Sequence, residues 1–385
     1  MKTIYPLTLL AATLALAGCG GGGGNDPTPS NSGTLNVAMT DNPSCGFNHV
    51  WVTVKQVRVN GSASAGDNDS GWQTLTLATP RRVDLLSLTN GVLEQLGQIP
   101  LPAGHYEQIR LVLVANGNSI VTTTATGADG PEVALSTPSA TQSGYKVVGN
   151  FTVKADTLTD LVLDFDACHS VVQKGNGSYS LKPVVTATPV VVSGRIKGVV
   201  AANEVGASVY AEQNGVVIKG TVVNADGSFM LSPLVQSSTN GSYDVVVVNK
   251  GYANAVIRAV PVIASSDTTI STAAAPISTP VSSYLTVAGT VTSSDDVVVR
   301  AVQIINGARY QIASRVVNGP YALNLAAGSS SFAGTYTGTL PVTLASDGVV
   351  AGQYSIQAQN TTTGAIQITP VNITTSSISN VNFNF

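Results

Sequence analysis

The sequence predicts an all-β chain of tandem antiparallel β-sandwich modules, with one short helix in the first. Three observations carry this. Charged residues are only 10% of the 385, against about 25% in ordinary soluble domains, and aromatics are 5%. Val, Thr, Ser, Ala and Gly dominate instead, a mixture that favours strands and turns. Apolar residues recur at every second position in one segment after another, as half-buried strands require. Finally, Gly, any residue, Tyr, then an alternating strand appears at Gly104–Tyr106, Gly177–Tyr179, Gly241–Tyr243, Gly319–Tyr321, Gly334–Tyr336 and Gly352–Tyr354. The glycine permits a sharp entry turn. The tyrosine buries its ring while its hydroxyl reaches backbone upstream, a corner typical of sandwiches.

Residues 1–18 have the parts of an export signal. Lys2 gives a positive start, and Leu7 to Ala17 is apolar apart from Thr8 and Thr13. A membrane span needs about 20 apolar residues, so this run is too short to be one. Leu16-Ala17-Gly18-Cys19 resembles the lipobox of bacterial lipoproteins, which implies lipidation of Cys19 and cleavage before it. The competing reading is a plain secretory signal with a chance cysteine. Residues 19–33, with five consecutive glycines followed by Pro27 and Pro29, cannot build a core and read as a solvated tether. Gly20 rather than Asp after the cysteine leans towards the outer membrane, by analogy with enteric sorting.

The first folded unit is expected over 34–190. In "HVWVTVKQVRV" Val50, Val52 and Val54 alternate with Trp51, Thr53 and Lys55; "QIRLVLV" and "DLVLDFDA" repeat the pattern. Leu85, Leu88, Val92 and Leu96 recur instead at helical spacing with Gly97 as a cap, which predicts a short helix interrupted or started near Asn90-Gly91. A second β unit is expected over 191–268, with a hairpin signal at Asp226-Gly227 between "GTVVNA" and "SFML". Residues 269–283, polar and proline-bearing, read as a linker, and 284–385 as a third β unit. The final "NVNFNF" could end an outer-membrane barrel, but the many girdled ten-residue strands a barrel needs are missing, which favours a last sandwich strand.

Several blocks within residues 34 to about 188 carry a family resemblance. They include "GTLNVAMTDNP", "VWVTVKQVRV", "VDLLSLTNGVLEQLG", "LPAGHYEQIRLVL", "LVLDFDACHSVV" and "YSLKPVV". In order and spacing they resemble a family of exported bacterial domains of unknown function, family 4382. The resemblance implies a prealbumin-like sandwich in envelope lipoproteins and brings no catalytic residues. "SGRIKGVV", "GASVYAEQNG", "NADGSFMLSPL" and "GSYDVVVVNKGY" resemble carboxypeptidase regulatory-like or transthyretin-like modules. These share a fold with some starch-binding domains, which raises carbohydrate binding by analogy. "YLTVAGTV" and "VVVRAVQIINGARYQI" give the third unit a loose similarity to the second.

Little in the chain points to chemistry. In an oxidising envelope, Cys45 and Cys168 most simply form a disulfide. The sharper alternative is a tetrahedral zinc site from Cys45, His49, Cys168 and His169, although its spacing is unlike the usual C-x2-C pairs. Asp164 and Asp166 should share a strand face and could pair with Arg110 or Lys146. As paired carboxylates they are the one candidate acid/base couple, set against a solvated sheet face. "GDNDSG" at 66–71 lacks the distal acid of a calcium loop and reads as a polar hairpin tip. No G-x-S-x-G elbow and no phosphate-binding glycine loop occurs. Net charge is −3 without a basic cluster, which argues against nucleic acid.

The expected function is therefore a lipid-anchored cell-envelope protein that binds or scaffolds without catalysis and without a cofactor, its partner a glycan or an envelope protein. The alternatives are carbohydrate binding through the middle module, and an envelope hydrolase using Asp164 and Asp166. A groove lined by exposed tyrosines or by Trp51 and Trp72 would favour sugar; a carboxylate pocket would favour catalysis. Binding is expected on sheet faces or loop tips, since small sandwiches fill their interiors.

Overall fold

The computed structural model describes residues 31–42, 46–124, 126–137, 143–236, 242–348 and 351–385. The leader, Cys19 with most of the expected tether, and Cys45 lie outside these residues. The first sandwich is built from β1 (Ser32–Asp41), β2 (Phe47–Asn60), β3 (Gln73–Asp84), β4 (Glu94–Pro102), β5 (Gly104–Tyr106), β6 (Gln108–Leu113), β7 (Ser119–Thr123), β8 (Asp129–Ser136), β9 (Tyr145–Val147), β10 (Phe151–Val153), β11 (Leu158–Phe165), β12 (Val171–Lys174), β13 (Tyr179–Leu181) and β14 (Val185–Pro189). One sheet runs β4-β1-β11-β14, and β3, β2, β6 and β9 pair in that order to make the core of the other. β5 and β10 pair as a small separate ribbon.

The second sandwich uses β15 (Ser193–Val199), β16 (Ser208–Gln213), β17 (Val216–Val222), β18 (Ser228–Val235), β19 (Ser242–Val248), β20 (Ala255–Pro261) and β21 (Asp267–Thr269). Its sheets are β18-β15-β21 and β17-β16-β19-β20. The third uses β22 (Tyr284–Thr292), β23 (Val297–Ile305), β24 (Ala308–Asn318), β25 (Pro320–Ala326), β26 (Phe332–Thr335), β27 (Ala345–Ser346), β28 (Gln353–Asn360), β29 (Ile366–Asn372) and β30 (Phe383–Asn384). Its sheets are β25-β22-β30 and β24-β23-β28-β29.

These orders are one topology used three times. In each sandwich the first strand lies between an antiparallel fourth strand and a parallel closing strand: β4-β1-β11, β18-β15-β21 and β25-β22-β30. So the expected antiparallel sheets each carry one parallel pair. The close approach of that pair explains a motif the tyrosine pattern overshadowed. Ser32-Gly33-Thr34-Leu35, Ser193-Gly194-Arg195-Ile196 and Ala288-Gly289-Thr290-Val291 open or occupy the three first strands. A Cβ on these glycines would collide with the backbone oxygens of Lys154, Ile263 and Val381, each just upstream of its closing strand. Leu35, Ile196 and Val291 then point into the three cores and are buried.

Three of the six motif tyrosines form the predicted corner. Tyr106, Tyr243 and Tyr354 donate upstream to Pro102 O (3.0 Å), Val235 O (2.8 Å) and Ala326 O (2.7 Å). Tyr321 instead donates downstream to Val381 O at 2.7 Å. Phe383 of "NVNFNF" is buried in the last strand, which pairs with β22, and no barrel is formed.

The sandwiches interlock. β12 pairs with β24, so the large sheets of the first and third sandwiches join into one twelve-stranded sheet through β13, β8 and β7. β26 leaves the third sandwich and pairs with the edge of β20. With it Phe332, Tyr336, Val342 and Leu344 pack on the second core, which thus draws on residues beyond 284. The segment read as a linker is also packed: Ile270, Ile277 and Thr279 are buried, and Glu204 holds Thr279 N at 2.7 Å. Ser271 and Thr279 of this segment bond the second sandwich, while Thr272, Ser278 and Ser283 are exposed.

Two local expectations are corrected. The helix predicted from Leu85 to Leu96 is a single 3-10 turn at Leu85–Ser87, and Leu96 lies in β4. Leu85 and Leu88 are buried but Val92 is half exposed, because Asn90 leaves the first sandwich to dock on the second. The short α-helix of this module is α1 (Ala167–Ser170). At Asp226-Gly227 the tight turn forms, with Asn224 N bonded to Ser228 O at 2.9 Å. Its arms do not pair as a hairpin, because β17 and β18 enter opposite sheets of the sandwich.

Candidate functional site

β1 and β11 run parallel and end together, delivering Asp41, Asp164 and Asp166 to one corner of the first sandwich. β17 of the second sandwich presents Lys219 to that corner. Its Nζ donates to Asp164 Oδ1 at 2.6 Å and to Asp41 O at 2.8 Å, and the side chain is 3% exposed. Asp41 Oδ1 accepts from Ala167 N at 2.9 Å, while Oδ2 is buried without a partner among the described residues. Burial pushes the Asp41 carboxyl well up, with Ala167 N–H and Lys219 opposing. Burial also raises Asp164, against the pull of Lys219. The expected partners Arg110 and Lys146 are elsewhere. Arg110 is covered by the 61–71 loop and pairs with Asp67. The face of β11 carrying Asp164 is thus not a solvated sheet face but a joint between sandwiches.

Asp166 lies past the end of β11 and caps α1, so the two aspartates do not act as a couple. Its Oδ1 accepts from His169 N at 3.0 Å and its Oδ2 pairs with His169 Nδ1 at 2.7 Å. Burial pulls the His169 imidazole down, but the charge and hydrogen bond of Asp166 outweigh this and leave it raised. His169 Nε2 stands 3.3 Å from Ser314 Oγ on β24, which also accepts from Gln311 Nε2 at 3.1 Å. These groups line a cavity of about 290 Å³ where the three sandwiches meet. Tyr210, Asn249 and Lys250 from the second sandwich, and Tyr284, Arg315 and Asn324 from the third, complete its walls. Binding was expected on sheet faces or loop tips; the structure also forms a cleft at the joint. Each sandwich fills its own interior, and the space lies between them.

The remaining candidates are placed apart from this cleft or are occupied. His49 Nδ1 lies 2.6 Å from Asp84 Oδ2, a bond that raises its pKa, and its ring stacks on Trp51. Among the described residues no group of three or more His, Cys, Asp or Glu is placed to hold a metal ion. Cys168 sits in α1, and Cys45 is outside the described residues. Arg82 lies over the Trp51 ring at 4.2 Å, and Arg58 and Arg110 lie over Trp72 at 4.5 and 4.8 Å. Neither tryptophan offers a bare platform for a sugar. "GDNDSG" is a polar connection between β2 and β3, closed by Asp69 on Gly66 N and by Trp72 Nε1 on Gly66 O.

Sequence reasoning missed Lys219, Ser314, Arg315, Tyr210 and Tyr284. Lys219 had a signal: one ammonium inside "VVIKGTVV", on a strand otherwise apolar. The others sit on strands of ordinary composition, and only the packing of three sandwiches brings them together.

Residues 32–183 match the model of DUF4382, a domain of unknown function. This is the first sandwich, the stretch over which the resemblance was expected. No curated protein matches the chain. Among solved structures, the major pilin SpaA of Corynebacterium diphtheriae aligns at 9% identity, covering 91% of this chain and 98% of the pilin, with a TM-score of 0.14. That pilin belongs to a modular pilus assembly with stabilising isopeptide bonds. So slight a likeness carries no argument about this chain.

Proposed function

We propose that this is a lipid-anchored, non-catalytic binding or scaffolding protein of the bacterial cell envelope, held by Cys19 at the outer membrane. The observation that carries the binding reading is the polar cleft between three sandwiches locked together by strand pairing across their boundaries. The carboxylates expected to catalyse are each engaged, Asp164 by Lys219 and Asp166 by His169. The lipobox-like Leu16–Cys19 and the glycine tether support anchoring. Compartment and cysteine count support a Cys45–Cys168 bridge, which would tie the start of β2 to α1 beside the cleft. In-envelope crosslinking of the intact lipoprotein tests the binding reading. A specific partner captured by the parent is expected, and capture of none in any growth state overturns it. Cys19→Ser should release the protein from membranes, and alkylation of two thiols in the native protein would exclude the bridge.

One observation favours the hydrolase as a second reading. Ser314, His169 and Asp166 form a hydroxyl–imidazole–carboxylate chain, and such triads are recognised by geometry rather than sequence order. Against it, the backbone of Ser314 and Arg315 pairs with β23 instead of forming an oxyanion site. Labelling by a fluorophosphonate probe, lost in Ser314→Ala, would establish the hydrolase; an unlabelled parent excludes it.

A further inference from the structure

We propose that the cleft between the three sandwiches binds an acidic saccharide unit, a polyhydroxylated ring bearing a carboxylate; this rests on the binding reading above. The argument begins with charge. Arg81, Arg82, Arg110, Lys182, Arg195 and Lys219 each pair with a carboxylate. Arg315 and Lys250 do not. Both are exposed, both line the cleft, and neither has a carboxylate or hydrogen-bond partner among the described residues. Asp166 is the one carboxylate in the lining, and both its oxygens hold His169. The cleft therefore carries surplus positive charge on a chain whose net charge is −3.

The rest of the lining is chemistry that hydroxyl-rich rings use. Tyr210 and Tyr284 come from different sandwiches and bring two half-buried phenol rings, while Asn249 and Asn324 supply amides that both donate and accept. Both tryptophans are already covered by arginines, which leaves the tyrosines as aromatic faces of the cleft. A bare anion would satisfy Arg315 and Lys250 but leave to water the Asn249 amide and Nδ2 of Asn324, whose Oδ1 already accepts from Thr286 Oγ1 at 2.8 Å. A neutral sugar would leave the two cations unmatched. A guanidinium engages a planar carboxylate through two parallel hydrogen bonds, which sets the head of the ligand at Arg315. The volume of about 290 Å³ is at the small end of ligand sites, suited to one or two sugar rings.

The test is calorimetric titration of the full mature lipoprotein in detergent with trigalacturonate, galactotriose and inorganic phosphate. Trigalacturonate should saturate at one per chain, bind at least about tenfold tighter than the other two, and weaken as salt is raised. Arg315→Gln with Lys250→Gln should weaken it about tenfold or more at an unchanged unfolding midpoint, and Arg315→Lys should retain part of the affinity. Both positions are exposed, so the variants should fold. The proposal is overturned by equal binding of galactotriose, by phosphate competing at equal affinity, by an unaffected double variant, or by no saturable binding. If the crosslinked envelope partner is still captured when trigalacturonate does not bind, the ligand assignment fails and the binding reading stands.

Discussion

At Lys219 one buried ammonium faces Asp164 directly and Asp41 through its backbone oxygen. A buried pair of this kind need not stabilise relative to an apolar replacement, but removing one member strands the other charge. Lys219→Met should therefore destabilise by about 3–5 kcal/mol, and adding Asp164→Leu should recover much of the loss, read from urea unfolding of both variants. An undiminished loss in the double variant would mean that Lys219 acts through packing alone. Glu212 on β16 gives the complementary case. Its Oε2 accepts from Gln311 N at 3.1 Å across the joint with the third sandwich, while Oε1 is buried without a partner among the described residues. Burial raises its pKa to about 8; the Gln311 N–H opposes this and the charge of Asp244 adds to it. Because the folded state holds this proton more tightly than the unfolded chain, its contribution is full below the unfolded value of 4.5 and is lost as pH rises towards 8. The loss is at most about 5 kcal/mol, and Asp41 and Asp164 shift in the same sense. Glu212→Gln should flatten this decline, so its advantage over the parent should be larger at pH 8.5 than at pH 5. Equal advantage at both would remove Glu212 as the titrating group.

The elements show where the sequence was readable. Alternation located the core strands, since inward residues such as Val50, Val52 and Val54 meet only apolar neighbours and nothing else is asked of them. It misled where a loop covers the outer face: every residue of β6 is buried, and Arg110 is among them because the 61–71 loop lies over it. The helical spacing of Leu85 to Leu96 was an accident of two buried leucines before a docking loop and one inside a strand. The Ser/Ala-Gly motif was legible but unread, because its meaning is a backbone collision between strands far apart in sequence. That collision makes a prediction at the scale of one strand. A Cβ at Gly289 would strike Val381 O, the same oxygen that accepts from Tyr321. Gly289→Ala should therefore displace β30 and cost about 3 kcal/mol, with faster hydrogen exchange at Val381 and Phe383. Gly104→Ala, where a Cβ meets nothing within 4 Å, should stay within about 0.5 kcal/mol. Equal effects of the two would show that the close approach does not hold the last strand.

Residues 31–385 are a single compact unit, and nothing in the sequence reveals that its β units exchange strands. Pairing across a boundary leaves no periodic mark: β26 is four residues long and β12 meets β24 over two registered pairs. The cleft was illegible for the same reason, as its walls come from three stretches of unremarkable strand. The exchange does have a thermodynamic consequence. Chains of several domains commonly unfold in steps, because each core melts at its own temperature. Here the second core includes Phe332, Tyr336, Val342 and Leu344 from the third sandwich, and its β20 edge is closed by β26. Neither sandwich can open without exposing apolar surface and an unpaired edge on its neighbour. Residues 31–385 should therefore unfold in one calorimetric transition, with van't Hoff and calorimetric enthalpies close to equal. Replacing residues 331–347 by a short glycine-serine turn leaves the seven topological strands of the third sandwich in place but strips the second of that cover. A lower transition should then separate, belonging to residues 193–282, with hydrogen exchange accelerated first along β20. Two resolved transitions in the parent, or one unshifted transition in the variant, would show that the excursion of β26 decorates the joint without coupling the cores.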